Sequence, residues 1–281
     1  MPPLSLQKLS RHVYWLPPDD RTDRPILGAI AGERATLLVD AGNSPAHARL
    51  LLDEVARLEL APPQFLVLTH WHWDHVFGTA AISLPTFAHP ETKRRIEEMA
   101  ALDWSDAALD ERVAAGLEID FCRDMMKLEL PDRSGLSLRP PEITFSDQVE
   151  LDLGGVTAQL IPVGGDHAGD SVVVCVPAEQ VAFISDCLAP DLYQQPPCYT
   201  TARLFPLIDR LLACEADFYL FGHSPEPMPR SELLAYTTRL KTIGQAVDRI
   251  GNNRAAILSE LGEPLDEDDL EDIDCFLAGL R

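Results

Sequence analysis

Three histidines and an aspartate fall within six residues at His70-Trp71-His72-Trp73-Asp74-His75, directly after the apolar run Phe65 to Leu68. Imidazole nitrogens and a carboxylate set this densely form the donor set that binds zinc or a similar divalent ion. In an extended stretch, residues i and i+2 point the same way, so His70 and His72 can grip one ion. If the chain then turns, Asp74 and His75 face a second ion nearby. A lone histidine is usually a packing or surface residue; four clustered donors at the end of a buried strand point to a metal site.

Such a site needs rigid elements to carry it. Strand-like and helix-like segments alternate, which indicates layered α/β architecture. Apolar runs at Ile26 to Ala31 and Thr36 to Val39, split by Gly32-Glu33-Arg34, predict a hairpin. Ser44-Pro45 reads as a helix cap followed by proline at the first helical position, with a stripe of Leu50, Leu51, Val55 and Leu58 behind it. Residues 89–128 are helical and charged, and end in the loop-like stretch containing Pro131, Gly135, Pro140 and Pro141, so about 90–130 reads as an insertion. Strands are expected at 142–145, 147–152, 156–162, 171–177, 180–184 and 217–221. Helices are expected at 202–214, from about Ser231 to Ile250, and from near Asp266 to the end. A single domain spans 1–281 in this reading, with a C-terminal helical extension from about 229.

The spacing of the cluster resembles the H-x-H-x-D-H hallmark of the metallo-β-lactamase superfamily. That resemblance implies further donors in a fixed order. A histidine in a glycine-rich turn is matched by His167 in Gly164-Gly165-Asp166-His167, with Asp166 where many members have glycine. An aspartate ending an apolar strand is matched by Asp186 after Phe183-Ile184-Ser185, and a last histidine by His223 after Leu220-Phe221-Gly222. By the resemblance, His70, His72 and His167 hold a first metal; Asp74, His75 and His223 hold a second; Asp186 bridges. Asp40, in Val39-Asp40-Ala41-Gly42, matches an acid that buttresses the metal loop. The implied fold is α+β, an αββα sandwich with the metals in a cleft at one edge. Two divalent ions are expected, zinc first, with manganese or iron as alternatives.

Two ions sharing a water lower its pKa toward about 7, so the resemblance implies hydrolysis by a metal-bridging hydroxide, with Asp74 as the catalytic residue that handles the proton. True zinc β-lactamases of the family usually carry cysteine or serine at the position of Asp186. A small ester, thioester or lactone is therefore the expected substrate; Cys187, one position along, is not that ligand. An iron-dependent redox enzyme of the same fold, such as a sulfur dioxygenase, and a phosphodiesterase or nuclease are the alternatives. A lactonase of the family would carry tyrosine where Ala189 stands; Tyr193 and Tyr199 follow and either can face substrate or structure a loop. Trp71 and Trp73 line an apolar pocket or pack the loop. Trp104, Phe121, Met125 and Met126 would give the insertion an apolar face suited to capping the cleft or to a homodimer contact. His12, His47 and His89 match no ligand position and read as surface or packing residues.

The chain has 281 residues, 46% of them hydrophobic and 24% charged, enough apolar material for a true core. Its 23 basic and 45 acidic residues give a net charge of −22. That balance repels nucleic acids and anionic membrane surfaces, so the expected partner is a small molecule. Nine of the acids lie between Glu260 and Asp274, far in sequence from the cluster, so much of the charge belongs to the C-terminal helix and its approach. No apolar run of signal-peptide or membrane-spanning length occurs, and the six cysteines form no CxxC pair. The expectation is a cytoplasmic protein with six reduced thiols.

Overall fold

The computed structural model describes residues 4–262 and 264–280; residues 1–3, Glu263 and Arg281 lie outside it. Two sheets carry the architecture. The first contains β1 (Gln7–Lys8), β2 (Val13–Leu16), β3 (Leu27–Ala31), β4 (Thr36–Val39), β5 (Pro63–Val67), β6 (Thr86–Ala88) and β7 (Ile143–Thr144), in that spatial order. The second contains β8 (Val149–Asp152), β9 (Thr157–Pro162), β10 (Val172–Val176), β11 (Val181–Ser185), β12 (Phe218–Phe221) and β13 (Met228–Pro229), in the order β13-β12-β11-β10-β9-β8.

Side-chain alternation builds the layers. On β4, Leu37 and Val39 point into the space between the sheets while Leu38 points out to the helices. On β10 and β11, Val172, Val174, Val181 and Phe183 face inward, and Val173, Cys175, Ala182 and Ile184 face the outer helices. Both faces of these strands are buried, so they read in sequence as continuous apolar runs and not as alternating ones. Outside the first sheet lies α1 (Pro45–Arg57), capped as expected by the Ser44 hydroxyl, which accepts from His47 N. Outside the second lie α6 (Thr201–Ala213), α7 (Arg230–Ile250), α8 (Arg254–Leu261) and α9 (Glu267–Gly279). The result is the expected αββα sandwich.

The charged helical stretch is broken into α3 (Pro90–Met99), α4 (Asp106–Ala114) and α5 (Asp120–Glu129); α2 is the single turn Trp73–Val76 in the histidine-rich loop. Ser105 caps α4, and Gly116, at φ +68°, turns the chain between α4 and α5. Trp104 packs edge-on against Phe77, and Glu129 pairs with Arg24 and accepts from Ser44, which fixes the helices against the first sheet. No helix among the described residues is long and apolar enough to cross a membrane.

One expectation is overturned in this part of the molecule. Cys175, on the outward face of β10, is disulfide-bonded to Cys214 at the end of α6, with Cα atoms 6.2 Å apart. The six cysteines are therefore not all free thiols; Cys122, Cys187, Cys198 and Cys275 are. The pair is 39 residues apart and made by packing a helix on a strand, so no local spacing announces it.

The acidic start of α9 is organised. Asp266 and Asp269 form a reciprocal capping box, and Arg239 of α7 donates to both carboxylate oxygens of Asp269. Asp272 has no such partner: burial, then Asp269, Asp268, Glu271 and Asp266, push its carboxyl up to about 7. In an unfolded chain it titrates near ~3.9. The folded state thus holds the proton more tightly, and stability is lost as pH rises from about 4 through 7. Asp272→Asn is expected to raise Tm at pH 8 and leave it nearly unchanged at pH 4. Thermal melts at the two pH values check this, and equal shifts at both would contradict it.

Candidate metal centre

All seven candidate donors converge at one edge of the sandwich, where strands end. β5 leads through Leu68 and Thr69 to His70 and His72, and α2 then carries Asp74 and His75. The β9–β10 connection supplies His167, β11 ends on Asp186, and β12 leads through Gly222 to His223. Two bonds tie the sheets together here: Val172 N donates to Thr69 O at 2.8 Å, and Ile26 N to Gly222 O at 2.7 Å.

The donors form two groups. One ligand atom from each of His70, His72 and His167 lies within 4.8 Å of the others, and the same holds for Asp74, His75, Asp186 and His223. Asp186 Oδ2 stands between them, 3.0 Å from His75 Nε2, 3.6 Å from His223 Nε2, 3.7 Å from His70 Nε2 and 3.8 Å from His167 Nε2.

These side chains fit divalent ions. Nε2 of His70, His72 and His167 is buried with no hydrogen-bond partner. A bare buried polar group costs about 1–3 kcal/mol, which an ion would relieve. The His167 Nδ1 lies 3.2 Å from Pro190 O; a carbonyl only accepts, so Nδ1 carries the proton and Nε2 presents a lone pair. Burial holds all three imidazoles below their ordinary pKa, in the neutral form a metal requires.

The second group is charge-paired. Burial opposes ionisation of Asp74 and Asp186, yet their neighbours His75 and His223 hold both well below the usual carboxylate range. His223 is itself held up to about 11, because Asp186 and Asp74 outweigh its burial. Asp40 completes the arrangement from below. Its Oδ2 accepts from His75 Nδ1 at 2.8 Å and from the Thr69 hydroxyl at 2.8 Å, and its Oδ1 accepts from Thr69 N at 2.7 Å. It touches the loop without reaching the donor cluster's centre, as a buttress does.

One acidic residue at the centre escapes sequence reading. Asp23, in the β2–β3 loop, puts Oδ1 3.4 Å from His223 Nδ1. Burial, then Asp74, push its carboxyl up to about 7. No spacing marks it; Asp19, Asp20 and Asp23 look alike in sequence, and only the fold of that loop aims one of them inward.

A cavity of about 530 Å³ opens over the two groups. Trp73 and Tyr193 line it, whereas Trp71 lines neighbouring clefts with Arg95 above its ring at 4.9 Å. Tyr199 also reaches the wall, with its hydroxyl donated to Leu188 O. Of the apolar residues proposed for a cap, Phe121 lines this cavity; Trp104 and Met126 are buried in the outer core and Met125 packs against it. His12 and His47 are buried and His89 caps α3, so none of the three joins the centre.

The glycine before His223 has a geometric reason. A Cβ at Gly222 would lie 1.9 Å from Asp186 Oδ1. Gly222→Ala is expected to displace the carboxylate and lower metal occupancy by about 10–100-fold in affinity, as disturbed supporting residues do. Metal titration of folded variant checks this; unchanged affinity would contradict it.

The chain belongs to the metallo-beta-lactamase superfamily, whose family model matches residues 28–243. Solved structures of similar fold include a metallo-beta-lactamase from Pontibacter korlensis, at 20% identity over 84% of this chain and 98% of that one, with TM-score 0.57. Another is a metallo-beta-lactamase from Erythrobacter litoralis, at 18% identity over 85% and 96%, with TM-score 0.56. The DIM-1 metallo-beta-lactamase matches at 17% identity over 84% and 96%, with TM-score 0.58. No curated protein matches the chain. The superfamily consists mainly of metal-dependent hydrolases that use divalent metals, and the paired His/Asp groups give this chain the donors for such chemistry.

Proposed function

We propose that the protein hydrolyses a small ester, thioester or lactone with two divalent ions, zinc being the best match to a histidine-rich donor set of mixed nitrogen and oxygen. The observation that carries this reading is the convergence of two donor groups, one buried and one that leaves His223 partly exposed, on one carboxylate oxygen, Asp186 Oδ2, under a cavity of about 530 Å³. His70, His72 and His167 would hold one ion; Asp74, His75 and His223 the other; Asp186 would lie between. When bound, such a pair supplies an activated water at neutral pH and polarises the substrate's carbonyl.

The chain's own groups do the rest. Asp74 lines the cavity, is ionised, and has Oδ2 3.0 Å from His75 Nε2 and 3.2 Å from His223 Nε2. From there it takes the proton released by the nucleophile and passes it to the leaving oxygen or sulfur. Asp40 fixes His75 so that its Nε2 faces the centre. Trp73 and Tyr193 line the cavity beside these groups. The net charge of −22 disfavours a nucleic-acid substrate, and an aspartate at 186 sets the chain apart from the family pattern associated with antibiotic hydrolysis.

A panel of carboxylic esters, thioesters, lactones and phosphodiesters tests the reading, with Asp186→Ala as control. Turnover of carboxyl derivatives that vanishes in the variant supports it. Turnover of phosphodiesters alone, or oxygen consumption by an iron-loaded protein, would overturn it.

A further inference from the structure

The cavity above the centre differs in character from the centre itself. Its floor is charged, but its walls are Ile119 and Phe121 from the start of α5, Leu188 and Leu192 from the loop after β11, Phe221, and Met228 from β13. No lysine or arginine is among the lining residues. Two of these walls lie in the helical insertion and one follows the last donor, so they are built independently of the segments that carry the donors. Phe121 keeps 54% of its surface exposed although it sits at a concave site. Solvent-facing apolar surface in a pocket is what an apolar ligand covers.

Charge points the same way. Three carboxylates, Asp23, Asp74 and Asp186, face the cavity. With no lysine or arginine on the walls, an anionic group on a substrate finds neither of these side chains to pair with there. Arg95 and Arg203 line a separate cleft that shares only His167 and Tyr193 with the main cavity. Asp166 and Asp191 line that cleft as well.

We infer that the site selects an electroneutral ester, thioester or lactone whose acyl portion is an apolar chain seated against Ile119, Phe121 and Met228, and that it discriminates against acyl groups carrying a negative charge. This rests on the hydrolase reading above and adds the substrate's chemical class to it. The insertion and the β13 segment are then specificity elements: the metal loops attack the carbonyl, and the walls choose the chain. Phe121 and Ile119 act by contact with substrate.

The test uses the metal-loaded protein and p-nitrophenyl esters from acetate to hexanoate, with the adipate monoester as the charged counterpart of hexanoate. A chain buried in the pocket raises kcat/KM about fourfold per methylene until the space is filled. The adipate monoester is expected to be roughly tenfold or more poorer than hexanoate. Phe121→Ser lowers the ratio of hexanoate to acetate turnover. Octanamide, an uncleaved neutral probe, raises Tm more than acetamide does, which reads the pocket without catalysis. Esters hydrolysed with no dependence on chain length, or a preference for the adipate monoester, would overturn the inference and leave the hydrolase reading standing. Octanamide binding with no ester, thioester or lactone turned over would overturn the hydrolase reading and support the apolar pocket. Neither turnover nor an octanamide shift would overturn both.

Discussion

Replacing Asp186 with alanine is expected to leave one metal ion or fewer per chain and to cut hydrolytic turnover by about 10³-fold, equivalent to ~4 kcal/mol of transition-state stabilisation. Its Oδ2 lies within 4 Å of ring nitrogens from both donor groups, those of His75, His223, His70 and His167. Without it, His75 and His223 lose the carboxylate that helps hold them protonated in the absence of metal, and the two groups lose their common donor. Asp186→Asn keeps the shape and removes the charge, so a similar loss in that variant assigns the effect to the carboxylate. Elemental analysis beside steady-state kinetics reads both quantities. Full metal content in a folded Asp186→Ala protein would show that the oxygen has no bridging part.

The second large effect is expected at a residue that binds no ion. Asp40→Asn should weaken metal binding by about 10–100-fold, as loss of a supporting carboxylate does. Asp40 serves three donors at once, the Thr69 amide, the Thr69 hydroxyl and His75 Nδ1. An amide side chain has one acceptor oxygen, so at least one of the three loses its partner in a buried site, at about 1–3 kcal/mol of stability. Asparagine is the informative choice because Asp40 has φ +63°, a conformation asparagine tolerates and alanine does not. Metal titration and denaturant unfolding should both shift. A change in stability with no change in metal affinity would make Asp40 a purely structural residue.

How much of this is legible in sequence depends on the range of the interaction. The HxHxDH cluster is local, and a two-residue repeat followed by a turn already separates His70 and His72 from Asp74 and His75. His167, Asp186 and His223 are individually unremarkable and become readable only through the order of motifs along a family. Ser44 before Pro45 and the acidic start near Asp266 mark their helices because capping is chemistry within one turn. The short elements stay hidden: β6 is three buried residues, Thr86–Ala88, too few to show any period, and α8 begins only after Asn253 caps it.

Contacts between distant segments leave no trace of that kind. Asp23 faces the centre because the β2–β3 loop is pinned there, by Arg24 on Glu129 and by Asn43 Nδ2 on Thr22 O. The Cys175–Cys214 bond and the division of labour between Trp73 and Trp71 likewise depend on which strand or helix passes opposite. The insertion was readable as helical, but its breaks at 100–105 and 115–119 decide that Ile119 and Phe121, and not Trp104 or Met126, reach the cavity.

The central claim is a paired metal centre that performs hydrolysis. Its most direct measurement is the metal content of protein purified without added metal, followed by ester or thioester turnover before chelation, after it, and after readdition of zinc. About two ions per chain, with turnover lost on chelation and restored by zinc, is the expected result. A chain that holds no metal, or one that turns over substrate equally well after every ion has been removed, would contradict it.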